Sequence, residues 1–168
     1  MGEFTATVIT LSDRASKGLY EDKSGEEIVN LLNLFFKELG TRISITKNII
    51  PDEVVLLREV LEKEIALNTN FIITTGGTGI GPRDITPDVV IPLLDKQIPG
   101  IMELIRVKYG LTFPSAALSR SVAGVAKQSL IYCLPGSPKA VREYMDEILK
   151  TILHCHKMLN GSDEHRNA

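Results

Sequence analysis

The stretch NFIITTGGTGIGPRDITPD, residues 70–88, decides the fold because a buried strand, a glycine-rich loop and a helix start follow one another in it. Residues 70–75 are mainly apolar or β-branched, which predicts a strand inside a sheet. Four glycines then fall within six residues. Pro87 follows Thr86 at the first position of a helix, where a missing N–H is tolerated. This succession is typical of α/β proteins.

The same alternation of strands and helices continues upstream. Apolar strands are predicted at 5–11 and 42–50, with a helix after each of them. Ser24 and Glu27 form a capping box at the start of the first helix. The second helix is predicted to start at Asp52. Its predicted apolar face consists of Val55, Leu56, Val60 and Leu61.

Downstream, the helix that starts at Thr86 should end or kink at Pro92, because proline removes a helix hydrogen bond. Strands alternating with helices predict a largely parallel sheet covered on both faces, with ligands at the carboxyl ends of the strands. The remaining predicted elements are a helix near 101–108, strands at 122–126 and 129–134, and a last helix opened by Ser137-Pro138.

The composition excludes several classes of protein. The formal charge of −2 lacks the basic excess that nonspecific nucleic-acid binding requires. No apolar run approaches the ~18 residues of a membrane helix. Cys133 and Cys155 have neither disulfide-framework nor zinc-site spacing, and His154, Cys155 and His156 point about 100° apart on a helix. We therefore expect a cytoplasmic protein that binds neither nucleic acid nor a membrane.

The glycine loop can hold an oxyanion, because glycines let backbone N–H groups approach an anion and the following helix start adds partial positive charge. The alternative is that a parallel strand needs only a tight turn here, but four glycines with the Arg83-Asp84 pair exceed that need. Asp84 can hold Mg²⁺ against a polyphosphate. It can also bond its own backbone toward Thr86, as turn aspartates do.

Asp52 follows Pro51 where a helix starts, and this context alone favours an N-cap over a catalytic role, although one residue can serve as both. Two further polar segments, 12–14 and 135–138, also follow apolar strands. Because parallel strands end at one edge of their sheet, we expect all these segments to meet there.

Common nucleotide and hydrolase motifs are disfavoured. Gly76 and Gly81 have the spacing of the two glycines in a P-loop, but Pro82-Arg83 follows where the P-loop requires Lys-Ser/Thr. No three glycines fit the GxGxxG pattern of dinucleotide-binding proteins. No Ser, Cys or Thr lies in a nucleophile elbow and no His lies in these loops. A P-loop kinase, a Rossmann dehydrogenase and a triad hydrolase are therefore unsupported.

Taken together, several motifs resemble the MogA-type molybdopterin adenylyltransferases. The resemblance implies a single-domain, three-layer αβα sandwich over residues 1–161. The polar composition of residues 162–168 separately predicts a frayed tail. The segments that carry the resemblance are 9–16 (ITLSDRAS), Gly18, Tyr20-Glu21-Asp22, Ser24-Gly25, Pro51-Asp52-Glu53, 74–88, Pro99-Gly100, Leu118-Ser119-Arg120 and 134–138 (LPGSP).

The resemblance also implies a reaction, in which AMP passes from Mg-ATP to the terminal phosphate of molybdopterin and pyrophosphate is released. Asp52 and Asp84 match the family's two essential aspartates and are the expected catalytic and Mg²⁺-binding residues. This match overturns the preference for a cap alone at Asp52. The expected substrate- and phosphate-binding residues are Ser12, Asp13, Thr75, Gly76, Gly77, Thr78, Gly79, Arg83, Ser119, Pro135, Gly136 and Ser137.

Partners follow from the same resemblance: molybdopterin and ATP, two further copies of the chain in a homotrimer, and a downstream molybdate-insertion protein. The MoaB sister group shares the scaffold, but its best-known members lack the Pro-Asp after the second strand and the Arg-Asp-x-Thr-Pro form, both intact here. Relatives such as the gephyrin G domain also bind receptors or cytoskeletal partners, so a purely structural role is the minor alternative.

Overall fold

A single sheet forms the centre of the computed structural model, which describes residues 3–162 of the protein. Its strands are β1 (Phe4–Leu11), β2 (Ile43–Ile50), β3 (Phe71–Thr75), β4 (Lys96–Gln97), β5 (Ala123–Ala126) and β6 (Ser129–Leu134). Their spatial order is β2-β1-β3-β6-β5-β4. The first four in this order run parallel, whereas β5 pairs antiparallel with both β6 and β4.

Helices cover both faces of this sheet. They are α1 (Asp13–Ser16), α2 (Lys23–Glu38), α3 (Val54–Ala66), α4 (Thr86–Val90), α5 (Pro99–Gly110) and α6 (Pro138–Leu159). The first core contains buried residues of α2, α5 and α6, and the second contains those of α3 and α4. Side chains alternate along β3, so Phe71 and Ile73 enter the first core and Ile72 enters the second. The predicted three-layer αβα sandwich is confirmed.

Helix α2 is capped by Asp22, so the predicted cap at Ser24 is wrong. One carboxylate oxygen of Asp22 accepts from the Gly25 amide at 2.9 Å, and the other accepts from the Thr10 hydroxyl at 2.9 Å. Ser24 instead donates to the carbonyl of Gly136 at 2.7 Å. Two good capping residues stand two positions apart in the sequence, and the tertiary contact of Ser24 decides between them.

Helix α3 begins at Val54, later than predicted, and turns a different face inward. Val55 and Leu56 were expected in the core, but their exposed fractions are 64% and 36%. Leu57 is fully buried, and Leu61 is buried as predicted. Because four consecutive apolar residues open this helix, their spacing does not single out one face.

The segment after α4 breaks as predicted, because Pro92 lies in a 3-10 turn over Ile91–Leu93. The two-residue strand β4 and a second 3-10 turn over Pro114–Leu118 were not predicted, since elements this short leave no periodic pattern. Within the described part of the chain, no helix combines the length and apolar character needed to cross a membrane.

The histidine and cysteine side chains near the sheet contribute to packing. The His156 ring lies 5.1 Å from the Phe4 ring and 5.6 Å from the Phe71 ring, and burial lowers the pKa of this histidine. Burial raises the pKa of the Cys133 thiol to about 12, so this thiol stays protonated at neutral pH.

The predicted tail at 162–168 lies almost wholly outside the described residues. Ser162 is the last residue described, and its amide donates to the carbonyl of Lys157 at 3.0 Å.

The inward face of α3 can be tested with a pair of substitutions. Leu57→Ala should lower the free energy of unfolding by about 2–5 kcal/mol, because it leaves a cavity in a closed core. Val55→Ala should change it by less than about 0.5 kcal/mol, because the side chain is mostly exposed. Urea unfolding followed by circular dichroism measures both values, and similar losses would show that this face is wrongly assigned.

Candidate active site

A cavity of about 750 Å³ lies at the carboxyl ends of the parallel strands. This volume falls in the range of about 300–1,000 Å³ typical of small-molecule sites. After β1 the chain forms β2, which pairs with one edge of β1. It then crosses back to form β3, which pairs with the other edge of β1. The cavity therefore occupies the topological switch point at which parallel α/β sheets bind ligands.

Two glycines with positive φ carry the chain from β3 into the cavity wall. The φ angles are +100° at Gly76 and +63° at Gly77. A Cβ on Gly76 would lie 2.4 Å from the Leu11 carbonyl oxygen, and one on Gly77 would lie 2.6 Å from Oγ1 of Thr86. The Gly76 amide donates to the carbonyl of Leu134 at 3.0 Å. The geometry of the turn itself thus requires these two glycines.

Arg120 holds the rest of the glycine loop in place. Its amide donates to the Thr78 carbonyl at 2.8 Å, its Nε to the Gly79 carbonyl at 2.7 Å, and its Nη2 to the Asp84 carbonyl at 2.5 Å. Its Nη1 donates to both carboxylate oxygens of Asp88 at 2.9 and 3.0 Å. The motif containing Arg120 was noted in the sequence, but nothing there revealed that this side chain fastens the loop.

Asp84 serves the turn and also lines the cavity. Its Oδ2 accepts from the Gly81 amide at 2.8 Å, so the bond runs back to Gly81 and not toward Thr86. A Cβ on Gly79 would lie 2.7 Å from the same Oδ2. The loop is therefore wrapped closely around this carboxylate, which fixes where its charge lies.

Asp52 pairs with Asp13 and does not cap α3. The Asp13 amide donates to Oδ2 of Asp52 at 3.1 Å, and the Asp52 amide donates to Oδ1 of Asp13 at 3.2 Å. Nη2 of Arg83 donates to both oxygens of Asp13 at 2.8 and 2.7 Å. Glu53 occupies the N-cap position without a side-chain bond. The cap that the local sequence favoured at Asp52 is therefore wrong, because the helix starts two residues later.

The two aspartates of this pair have opposite pKa shifts. Burial is the main cause that raises the pKa of Asp52, and the nearby charges of Asp13 and Asp84 raise it further. The hydrogen bond from Arg83 is the main cause that lowers the pKa of Asp13. Asp52 therefore takes up a proton at a higher pH than an exposed aspartate does. A cation beside Asp52 and Asp84 would relieve their unfavourable charge.

The cavity wall contains every predicted site residue except Thr75 and Ser137. Thr75 is buried, and its hydroxyl donates to the carbonyl of Pro135 at 2.8 Å. Ser137 caps α6 by accepting from the Ala140 amide at 3.2 Å. Five further lining residues were not predicted as site residues, although all of them except Ser115 lie in motifs quoted from the sequence: Leu11, Arg14, Ile80, Ser115 and Leu118.

The sequence matches one known protein family over most of its length. The sequence profile described as Probable molybdopterin binding domain matches residues 7–154. The chain belongs to this family. The molybdopterin adenylyltransferase of Helicobacter pylori is 37% identical over 160 residues, which cover 92% of this chain and 87% of that protein.

Two further relatives show how far the likeness extends. Gephyrin of Dictyostelium discoideum is 39% identical over 165 residues, which cover 95% of this chain but only 23% of gephyrin. The crystal structure of the molybdopterin biosynthesis enzyme MoaB from Thermus thermophilus superposes with a TM-score of 0.83 at 35% identity, covering 94% of this chain and 97% of that one. The whole domain is therefore shared, whereas most of gephyrin has no counterpart in this sequence.

The role of Arg120 can be tested by removing its hydrogen bonds while keeping the length of its side chain. In Arg120→Met, the amides of residues 77–84 should exchange with solvent about tenfold faster, because the loop loses charge-assisted bonds. Hydrogen exchange followed by mass spectrometry measures this rate. Arg142→Met is the matched control, because Arg142 pairs with Glu27 at 3.2 Å on the surface. Unchanged exchange in Arg120→Met would contradict the role assigned to this arginine.

Proposed function

We propose that this protein is a molybdopterin adenylyltransferase that uses Mg-ATP. An oxygen of the terminal phosphate of molybdopterin attacks the α-phosphorus of ATP. The bond between the α-phosphorus and its bridging oxygen to the β-phosphorus breaks, and pyrophosphate leaves with that electron pair. The products are adenylylated molybdopterin and pyrophosphate.

The observation that carries this proposal is that Asp52, Asp84 and the glycine loop line one cavity, in a chain related over most of its length to proteins with this activity in their name. The attacking phosphate is already anionic, so the reaction needs no strong general base. Positioning and charge stabilisation are then the main contributions of the protein.

Local groups would hold the phosphates, because the chain as a whole carries a formal charge of −2. The backbone of Gly76, Gly77 and Gly79 forms one wall of the cavity, and Gly136 lies on another just before α6. Helix α6 has 22 residues, and its N-terminal end adds partial positive charge beside Gly136.

Asp52 and Asp84 fit a magnesium ion. Mg²⁺ is usually held by one or two carboxylates and completes its coordination with waters and substrate phosphate oxygens. When bound, it would neutralise charge on the transferring phosphates. The burial and charge repulsion that raise the pKa of Asp52 would both be offset by such a cation.

The test is incubation of the protein with molybdopterin, ATP and Mg²⁺, with detection of adenylylated molybdopterin and pyrophosphate. Asp84→Asn and Asp52→Asn should each lose most turnover, because an amide oxygen is a poor ligand for Mg²⁺. Both variants should keep nearly the wild-type melting temperature. An asparagine oxygen can still accept the bonds from Gly81 and from Asp13, and Asp52→Asn also removes a partly buried charge.

Asp146→Asn is the control, because Asp146 lies on the exposed face of α6 and pairs with Lys150 at 3.1 Å. It should keep wild-type turnover. Molybdopterin binding without product in the wild-type protein would overturn the proposed enzyme and favour a binding or scaffold role. Wild-type turnover in Asp52→Asn would refute the catalytic role of that residue.

We also propose that the protein is a homotrimer in solution. Leu104 and Val107 on α5, and Leu111 directly after it, expose 54%, 65% and 85% of their surface, and an apolar stripe of this kind suits a contact between copies. Light scattering after gel filtration should give three times the 18.5 kDa chain mass. Val107→Asp should shift the mass toward that of one chain, whereas a wild-type mass near 18.5 kDa at micromolar concentration would refute the trimer.

The proposal also states where in the cell the reaction takes place and which kind of protein uses its product. The chain would act in the cytoplasm, where ATP is supplied. Adenylylation activates the phosphate of molybdopterin, so the product suits a downstream molybdate-insertion protein that cleaves the new anhydride bond.

A further inference from the structure

A smaller pocket of about 150 Å³ opens from the main cavity between the end of β1 and the start of α2. Leu11, Ser12, Arg14 and Gly136 line both spaces, so the two are continuous. We name the smaller space, which Lys23 also lines, the side pocket. Its volume is well below the roughly 300 Å³ at which whole-ligand sites usually begin. The side pocket therefore suits one end of a ligand whose remainder lies in the main cavity.

Two cationic side chains in the wall of the side pocket have no carboxylate partner. Neither Arg14 nor Lys23 forms a salt bridge with any of residues 3–162. The guanidinium of Arg14 lies 5.1 Å from the centre of the Tyr20 ring, and that ring also belongs to the lining. Both positive charges therefore remain available to a ligand, unlike that of Arg83 in the main cavity, which is bonded to Asp13.

The one carboxylate in the described lining, that of Asp22, is already neutralised. Its Oδ2 lies 3.4 Å from Nζ of Lys47 and accepts from the Thr10 hydroxyl at 2.9 Å. The Asp22 side chain is 3% exposed. A ligand in the side pocket therefore meets the charges of Arg14 and Lys23, whereas a ligand in the main cavity meets three aspartates.

The hydroxyl of Ser12 adds a hydrogen-bond donor to these two cations. Its oxygen accepts from the Ala15 amide at 3.2 Å, so its own O–H is left to donate to a ligand. The other hydroxyls at the inner end of the pocket already donate to protein oxygens, namely those of Thr10, Ser24 and Thr75. Two cations and a hydroxyl donor are a set that suits phosphate oxygens.

We infer that the side pocket holds the β- and γ-phosphates of ATP, which leave as pyrophosphate, an assignment that rests on the proposed function. When the bond from the α-phosphorus to its bridging oxygen breaks, that oxygen takes the electron pair, so negative charge grows on the leaving group. Arg14 lines both spaces and reaches the boundary between the two parts of ATP, while Lys23 lies deeper in the side pocket. Positive charge at the leaving group stabilises the transition state of such a transfer.

The phosphate of molybdopterin, the other anion in the reaction, fits this pocket less well. It is the attacking group, and its negative charge falls as the new anhydride bond forms. Unpaired cations around it would stabilise it before the reaction and make it less reactive, which raises the barrier. The same cations around pyrophosphate act mainly in the transition state and lower the barrier.

The experiment measures four affinities in the full-length protein by calorimetry in the presence of Mg²⁺: those for ATP, pyrophosphate, AMP and molybdopterin. Arg14→Gln and Lys23→Gln should each weaken binding of ATP and of pyrophosphate about tenfold, because each removes a charge-assisted bond. Binding of AMP and of molybdopterin should stay within about twofold. Lys23→Gln should also keep the wild-type melting temperature, since a cation in the first turn of a helix does not stabilise it.

Lys37→Gln and Arg58→Gln are the matched controls. Lys37 lies in the last turn of α2, and Arg58 lies on α3, 3.9 Å from Glu62. Among the described residues, neither lines the main cavity or the side pocket. Both controls make the same change in net charge and should leave all four affinities within about twofold.

Unchanged pyrophosphate binding in either Arg14→Gln or Lys23→Gln would overturn the assignment, and so would an equal loss of AMP and ATP binding. Weaker binding of molybdopterin alone would overturn it as well and would place the phosphate of molybdopterin in the side pocket. If wild-type protein forms adenylylated molybdopterin while the variants bind pyrophosphate normally, only this assignment fails. If wild-type protein binds no Mg-ATP, the proposed function fails, and this assignment with it.

Discussion

The contact of three strand ends at Gly76 is the constraint on which the site depends. A Cβ on Gly76 would lie 2.4 Å from the Leu11 carbonyl, and one on Gly136 would lie 3.3 Å from the Cα of Gly76. The backbones that leave β1, β3 and β6 therefore touch, and a side chain at Gly76 would force them apart. Because they touch, three loops can present their backbone and their carboxylates to one cavity at the switch point of the sheet.

Charge at this cavity favours a phosphate that carries a cation over a bare phosphate. Asp13, Asp52 and Asp84 all line it, and Arg83 is already bonded to Asp13 through both carboxylate oxygens. An isolated anion would meet these three carboxylates, and the other arginine in the lining is Arg14, whose guanidinium lies 5.1 Å from the centre of the Tyr20 ring. Under the proposed function, the Mg²⁺ bound to a polyphosphate would bring positive charge to Asp52 and Asp84, so the same carboxylates that repel one ligand would attract the other.

The sequence predicted the features that depend on local pattern. The alternation of strands and helices, the break at Pro92 and the glycine turn after β3 each follow from the residues present. The buried face of α3 could not be predicted from the sequence, because the run from Val54 to Leu57 is apolar throughout. The role of Arg120 could not be read either, since its bonds reach loops more than thirty residues away.

The α2 cap shows the same limit more sharply, because the residue type of Ser24 was suitable and its tertiary contact decided. Ser24 could cap α2, yet its hydroxyl donates to Gly136. Thr75 is predicted to bind substrate, and in the structure its hydroxyl donates to the carbonyl of Pro135. Both bonds fasten the loop after β6, whose Pro135 borders the main cavity and a smaller neighbouring pocket lined by Phe113 and Lys139.

This loop borders both spaces, and bonds from α2 and β3 fix its position. Transfer of a nucleotidyl group depends on holding the attacking phosphate in line with the α-phosphorus, and a misplacement of about 1 Å can cost a hundredfold in rate. We propose that the hydroxyls of Ser24 and Thr75, which hold Gly136 and Pro135, support that alignment by fixing this loop. Polar residues at a strand end can thus affect a reaction indirectly, because they fix the position of the backbone that lines the site.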